Sequence, residues 1–145
     1  MDRDNAPDRL RTLPSWLLGQ LSIEARKVAG EVLVKHGLHR SQYALLASLE
    51  QFGASNQTQL GERSGLDRSD IVRWVDDLAD RGVVARDRDP DDRRRNVVTL
   101  TAPGRRLLGK LDTELRAAQD RLLSPLSAGE RAQFTRLLQR ALGIR

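Results

Sequence analysis

Three consecutive arginines, Arg93, Arg94 and Arg95, and a spaced pair, Arg68 and Arg73, are the side chains of this sequence best equipped for chemistry. A guanidinium is always charged and offers five N–H donors in a rigid fork, so it can bond two acceptors at once, as on a phosphate or the edge of a purine. That is recognition rather than bond-breaking. Groups suited to bond-breaking are scarce: the 145 residues hold no cysteine, two histidines (His36 and His39) and no glycine-rich phosphate loop. Without cysteine there is no thiol nucleophile, disulfide, thiol redox switch or Cys-based zinc site. Two histidines are too few for a metal site, so no metal, no cofactor and no enzymatic activity are expected.

The balance of 25 Lys+Arg against 20 Asp+Glu, a formal charge of +5, makes a polyanion a sensible partner. Only Lys27, Lys35 and Lys110 are lysine. Biased genome composition would also produce arginine dominance, so position has to decide. No stretch approaches the roughly 20 apolar residues of a membrane span. The start Met1-Asp2-Arg3-Asp4-Asn5 lacks the apolar segment of a signal peptide, so a cytoplasmic location and no membrane partner are expected.

The elements that must position the arginines follow from periodicity. Met1 to Thr12 is charged and aperiodic, a loose arm or frayed helix start. Leu17, Leu21, Ala25, Val28 and Val32 form one stripe of a helix from Ser15 to about His36, stopped at Gly37. A helix after Arg40-Ser41 carries Leu45, Leu46, Leu49 and Phe52 on one side and stops at Gly53. Thr58 to Arg63 is barely two turns, amphipathic only through Leu60 and too short to be stable alone. After Ser64-Gly65-Leu66, Asp67 is the N-cap of a helix with Asp70 three residues on. There Ile71, Trp74, Val75 and Leu78 should face inward and Arg68, Ser69, Val72, Arg73 and Asp76 outward.

Past Gly82 the period becomes that of a strand. Val83 to Ala85 and Asn96 to Leu100 make a hairpin whose charged tip, Arg86 to Arg95, is turned by Pro90 and stiffened by aspartates bonding to backbone N–H groups. Thr101 caps a helix that accepts Pro103 in its first turn. Leu108, Leu111, Leu115, Ala118 and Leu122 are spaced three, four, three, four, the alternation of a helix–helix seam. Pro125 ends it, and the capping box Ser127 to Glu130 opens a last helix with the stripe Phe134, Leu137, Leu138 and Ala141.

The fold class is therefore mainly α with a small β-hairpin wing: a winged helix-turn-helix lobe at 38–100, flanked by an N-terminal arm at 1–14, a long helix at 15–37 and C-terminal helices at 101–145, the flanking helices being the candidates for pairing two copies. In such a unit the second helix enters the major groove of DNA and the hairpin tip the adjacent minor groove. Arg68 and Arg73 are then placed for bidentate bonds to guanine, Ser69 for a base edge or phosphate, and Val72 for a thymine methyl. Thr58 joins this DNA-contacting set. One or two of Arg93, Arg94 and Arg95, aimed by Asp92, would read minor-groove width. The span Asp67 to Asp80 is net acidic, with five aspartates against two arginines. Asp67 and Asp70 are assigned to capping, and Asp76, Asp77 and Asp80 to a C-terminal half tilted away from the duplex.

The joined stretches from Gly65 to Val84, from Asp89 to Arg94 and from Val98 to Gly104 resemble the signature of the MarR family of bacterial transcriptional regulators, and the flanking helices extend that likeness from Ser15 onward. The resemblance implies a homodimer, its terminal helices intertwined, gripping a pseudo-palindromic operator in double-stranded DNA. Half-sites would lie about 10 bp apart. Interface candidates are Leu17, Leu21, Leu108, Leu111, Leu115, Leu122, Phe134 and Leu138. The resemblance also implies a repressor released by a small aromatic or phenolic effector, for which Trp16, Gln20, His39 and Tyr43 are the candidates; the thiol-sensing branch is excluded by the lack of cysteine. The alternative is an architectural DNA-binding protein with little base preference.

Overall fold

Side-chain caps and glycine stops set most element boundaries in the computed structural model, which describes residues 2–145. After a 3-10 turn at Arg3–Asn5, the order is α1 (Asp8–Arg11), α2 (Pro14–Lys35), α3 (Arg40–Phe52), β1 (Ser55–Asn56), α4 (Gln57–Ser64), α5 (Arg68–Asp80), β2 (Val84–Arg88), β3 (Asn96–Leu100), α6 (Ala102–Leu122) and α7 (Ala128–Ala141). The expected arm is more ordered than foreseen. It forms the 3-10 turn and α1, and Arg3 donates to Glu24 at 2.7 Å. Met1 lies outside the described residues.

The short α4 is held by reciprocal capping. Asn56 Oδ1 accepts from the Gln59 backbone N–H, and Gln59 Oε1 from that of Asn56, both at 2.9 Å, while Leu60 is fully buried. Asp67 opens α5 by accepting from the Asp70 backbone N–H at 2.9 Å and from the Ser69 hydroxyl at 2.8 Å. These donors hold the Asp67 carboxyl below the usual carboxylate range, so this cap is lost only as pH falls through that lowered value. Gly82, at φ +72, ends the helix: its N–H bonds Ala79 C=O and that of Val83 bonds Leu78 C=O, which turns the chain into β2.

The sheet has three antiparallel strands in the order β1-β3-β2. The hairpin register runs from Val84 opposite Leu100 to Arg88 opposite Asn96. The first strand thus extends three residues into the segment expected as tip, because Arg86, Asp87 and Arg88 pair through their backbones whatever their side chains. On the other edge of β3, Ser55 pairs with Val98 and Asn56 with Val97. This β1 is absent from the sequence reading: two polar residues carry no alternation.

At the start of α6, Thr101 Oγ1 accepts from the Gly104 N–H at 3.1 Å and donates to Gly82 C=O at 2.7 Å. Gly104 lies so close to the Val83 backbone that a Cβ there would stand 2.0 Å from the Val83 carbonyl oxygen.

The chain divides into two compact units, Met1–Ala29 with Arg116–Arg145, and Gly30–Leu115. The second holds the core, in which Leu45, Leu46, Leu60, Leu78 and Leu111 are fully buried. In the first, Ala118 is the one fully enclosed hydrophobic residue among those described, while Leu17, Leu18, Ile23, Leu137, Leu142 and Ile144 are all about half exposed or more. Two of the interface candidates need correcting. Leu111 is 0% and Leu108 5% exposed within a single chain, so neither has surface left for a second copy. Leu17 is exposed, and Leu21, Leu115, Leu122, Phe134 and Leu138 are half-buried. Phe52 also departs from its expected apolar face: it is 52% exposed, with the Arg63 guanidinium 4.3 Å from its ring centre.

Candidate nucleic-acid interface

An α-helix turns about 100° per residue, so Arg68, Ser69 and Val72 share one side of α5, and all three are exposed. Ile71, Val75 and Leu78 are buried on the other. Trp74, expected among them, is only half-buried. Its indole stacks on the His39 ring, centroids 4.7 Å apart and planes at 8°, with the Arg73 guanidinium 4.5 Å from its ring centre. A flat ring with a polar edge is better satisfied between imidazole and guanidinium than in the aliphatic core.

The excess acid on this helix is absorbed largely by side-chain partners. Asp67 is the cap; Asp70 accepts from Arg73 at 3.1 Å, Asp77 from the buried Gln42 at 2.6 Å, and Asp76 from Arg86. Among the five aspartates only Asp80 has no side-chain partner among the described residues. Arg73 is consequently occupied by Asp70 and Trp74, whereas Arg68 makes no ion pair among the described residues.

The hairpin tip is stiffened as its aspartates suggested. Asp89 Oδ1 accepts from the Asp91 N–H at 2.9 Å and Asp92 Oδ1 from the Arg94 N–H at 3.0 Å, and the Asp89 N–H closes the tip on Arg95 C=O at 2.9 Å. Asp92 pairs with one of the three arginines: its Oδ2 lies 3.5 Å from Arg95 Nε. Arg93 and Arg94 stand in a turn rather than at strand spacing, exposed and with no carboxylate partner among the described residues.

Between α4, the start of α5 and the tip end of the hairpin lies a cleft of about 620 Å³. It brings together Thr58, Arg68, Arg94 and Arg95 from the expected set. Ser69, Val72, Arg73 and Arg93 are outside its lining. Gln57, Glu62 and Asn96 line it too and were not foreseen. The Asn56-x-x-Gln59 pattern, a capping signature, was the available signal that the helix begins at Gln57 and turns its first residues outward.

The effector candidates divide between the two units. Trp16 and Gln20, both half-buried, belong to the unit of terminal segments, and His39 and Tyr43 to the other. Within that second unit, His39 lines a hollow of about 480 Å³ with Val34, Gly37, Leu38, Gln42, Arg73, Trp74 and Asp77. Tyr43 is not among these. Its hydroxyl donates to Asp112 Oδ1 at 2.9 Å, and burial, then that carboxylate, push the phenol up to about 12. Tyr43 is the only tyrosine, so its ionisation is readable by tyrosinate absorbance. We expect a midpoint near pH 12, moved down toward the ordinary value by Asp112→Asn. Stability linked to this group is complete below the unfolded value and declines as pH rises from there through the folded one.

A family model described as the MarR family matches residues 38–95. The chain is 36% identical over 104 residues to the HTH-type transcriptional regulator YxaD of Bacillus subtilis, covering 71% of this chain and 72% of that one. It is 32% identical over 101 residues to the HTH-type transcriptional repressor NicR of Pseudomonas putida, covering 70% of this chain and 64% of that protein. Among solved structures it is similar to the PcaV transcriptional regulator of Streptomyces coelicolor in complex with its natural ligand, with TM-score 0.75 and 33% identity over 95% of this chain and 96% of that one.

Proposed function

This chain belongs to the MarR family of transcriptional regulators, and we propose that it acts as a sequence-specific repressor, binding a pseudo-palindromic operator in double-stranded DNA as a homodimer. The observation that carries the reading is the cleft that collects Thr58, Arg68, Arg94 and Arg95 from α4, α5 and the hairpin. Two of these guanidinium groups, those of Arg68 and Arg94, are free of carboxylates among the described residues. In this reading α5 lies in the major groove with Arg68, Ser69 and Val72 toward the bases and Arg73 released from Asp70 on contact, while Arg93, Arg94 and Arg95 meet the minor groove and its phosphates.

The lobe at 38–100 is then the DNA-binding part, and the helices at 15–37 and 101–145 pair two copies. The half-exposed Leu17, Leu18 and Leu137 support pairing, since isolated chains seldom leave so much apolar surface in water. A second copy of the chain is the economical cover for that surface. NicR is named a repressor and PcaV was solved with its natural ligand. Both support repression relieved by a small effector, for which the hollow beside His39 and Trp74 is a candidate in this lobe.

The test is a gel shift with the DNA upstream of the chain's own gene against random DNA at physiological salt. Equal retention of both would favour an architectural binder instead. Arg94→Ala is expected to weaken binding to every sequence and to reduce the slope of log K against log salt by about 0.9, the share of one neutralised phosphate. An unchanged slope would remove Arg94 from the interface.

A further inference from the structure

We infer that Asp76 and Arg86 are a positioning pair, an ion pair that braces the hairpin wing against the outward face of α5 and on which the affinity for DNA depends. This rests on the DNA-binding reading above. Arg68, Val72 and Asp76 follow at i, i+4 and i+8, so Asp76 stands on the same stripe of the helix as two of the proposed reading residues. A free carboxylate there would face a polyanion. Instead Arg86 Nη2 donates to Asp76 Oδ1, the one side-chain hydrogen bond joining α5 to β2 among the described residues.

The place of Arg86 in the sheet gives the contact its leverage. Arg86 is opposite Val98, and Val98 on its other edge is opposite Ser55, so these three residues form a row across all three strands. Ser55 is fully buried and its hydroxyl accepts from Arg63 of α4 at 2.8 Å. One row of the sheet is thereby tied to α4 at one end through Ser55–Arg63 and to α5 at the other through Arg86–Asp76. The wing tip is an extension of that row's strands, so its angle to both helices is set here.

The side chains are 34% and 52% exposed, and ion pairs so open to water add little to folding stability. The brace therefore shows itself in binding, and with an unusual sign. Asp76→Asn removes a negative charge from the surface facing DNA. Electrostatics alone requires tighter binding; loss of the brace requires weaker.

The experiment measures binding of the full chain to its upstream DNA fragment by fluorescence anisotropy, with thermal melting of each variant as a check on folding. Asp76→Asn is expected to weaken binding roughly two- to fivefold with its melting temperature unchanged. Arg86→Gln should weaken it further, because a cation is lost as well, and the double variant should be no worse than Arg86→Gln alone. The exchange Asp76→Arg with Arg86→Asp should recover part of the loss. Binding by Asp76→Asn equal to or tighter than the parent, or losses that simply add, would overturn the pair while leaving the DNA-binding reading intact. A parent chain that retains no DNA would overturn that reading, and the brace with it.

Discussion

Replacing Gly104 by alanine is expected to cost the fold at least about 3 kcal/mol, a large share of the 5–15 kcal/mol that holds a typical domain together. The added methyl carbon would stand 2.0 Å from the Val83 carbonyl oxygen, 2.7 Å from Leu100 Cδ1 and 3.0 Å from the Val83 carbonyl carbon. Two of those three atoms are backbone. They are held by the Thr101 N–H bonded to Val83 C=O and by the Thr101 hydroxyl on Gly82, so relief requires α6 to lift off the sheet. A control of opposite sign lies five residues on. Gly109 has nothing within 4 Å of its would-be Cβ, and alanine there should stabilise by up to about 1 kcal/mol through helix propensity alone. Urea denaturation of both variants gives the comparison. Equal midpoints would mean that α6 does not seat on Val83 as described.

Arg68→Ala is expected to abolish discrimination at one base pair of each half-site. A bidentate guanidinium–guanine contact is worth about 1–3 kcal/mol against a wrong base, so the parent should lose roughly 5- to 150-fold when that G·C pair is changed, and the variant almost nothing. Arg68 carries this expectation rather than Arg73 because of what each already touches. Arg73 must leave Asp70 and the Trp74 ring before it can reach a base, whereas Arg68 has no ion pair to break among the described residues. Titration of the parent and Arg68→Ala against operators carrying single base-pair changes decides the matter. A uniform loss across all of them would make Arg68 a phosphate contact.

The contrast between these two arginines shows where sequence reading succeeds and where it stops. Both are outward at helical spacing, and periodicity alone makes them equivalent. Their difference arises from neighbours: Asp70 one turn back and Trp74 next in line, the latter drawn out of the core by His39, a residue 35 positions away in the chain. Capping was legible at Asp67, Thr101 and Ser127, because a cap is written within four residues. The seam of α6 was legible as a stripe but not as a destination. Leu108, Leu111 and Leu122 have the same spacing whether they meet their own chain or another, and only burial separates the first two from the third. The saturation of the α5 aspartates needed Gln42 and Arg86, which come from α3 and β2 and leave no mark on the local pattern.

The two residues of β1 bear on protein engineering as well. Because Ser55 and Asn56 hold the outer edge of β3, the hairpin is not a detachable module bounded by its own turn. A chimera that imports residues 84–100 from a relative, but keeps the host's chain at 55–56, inherits a mismatched border. Swaps meant to transfer groove preference should move the connecting segment together with the finger it supports.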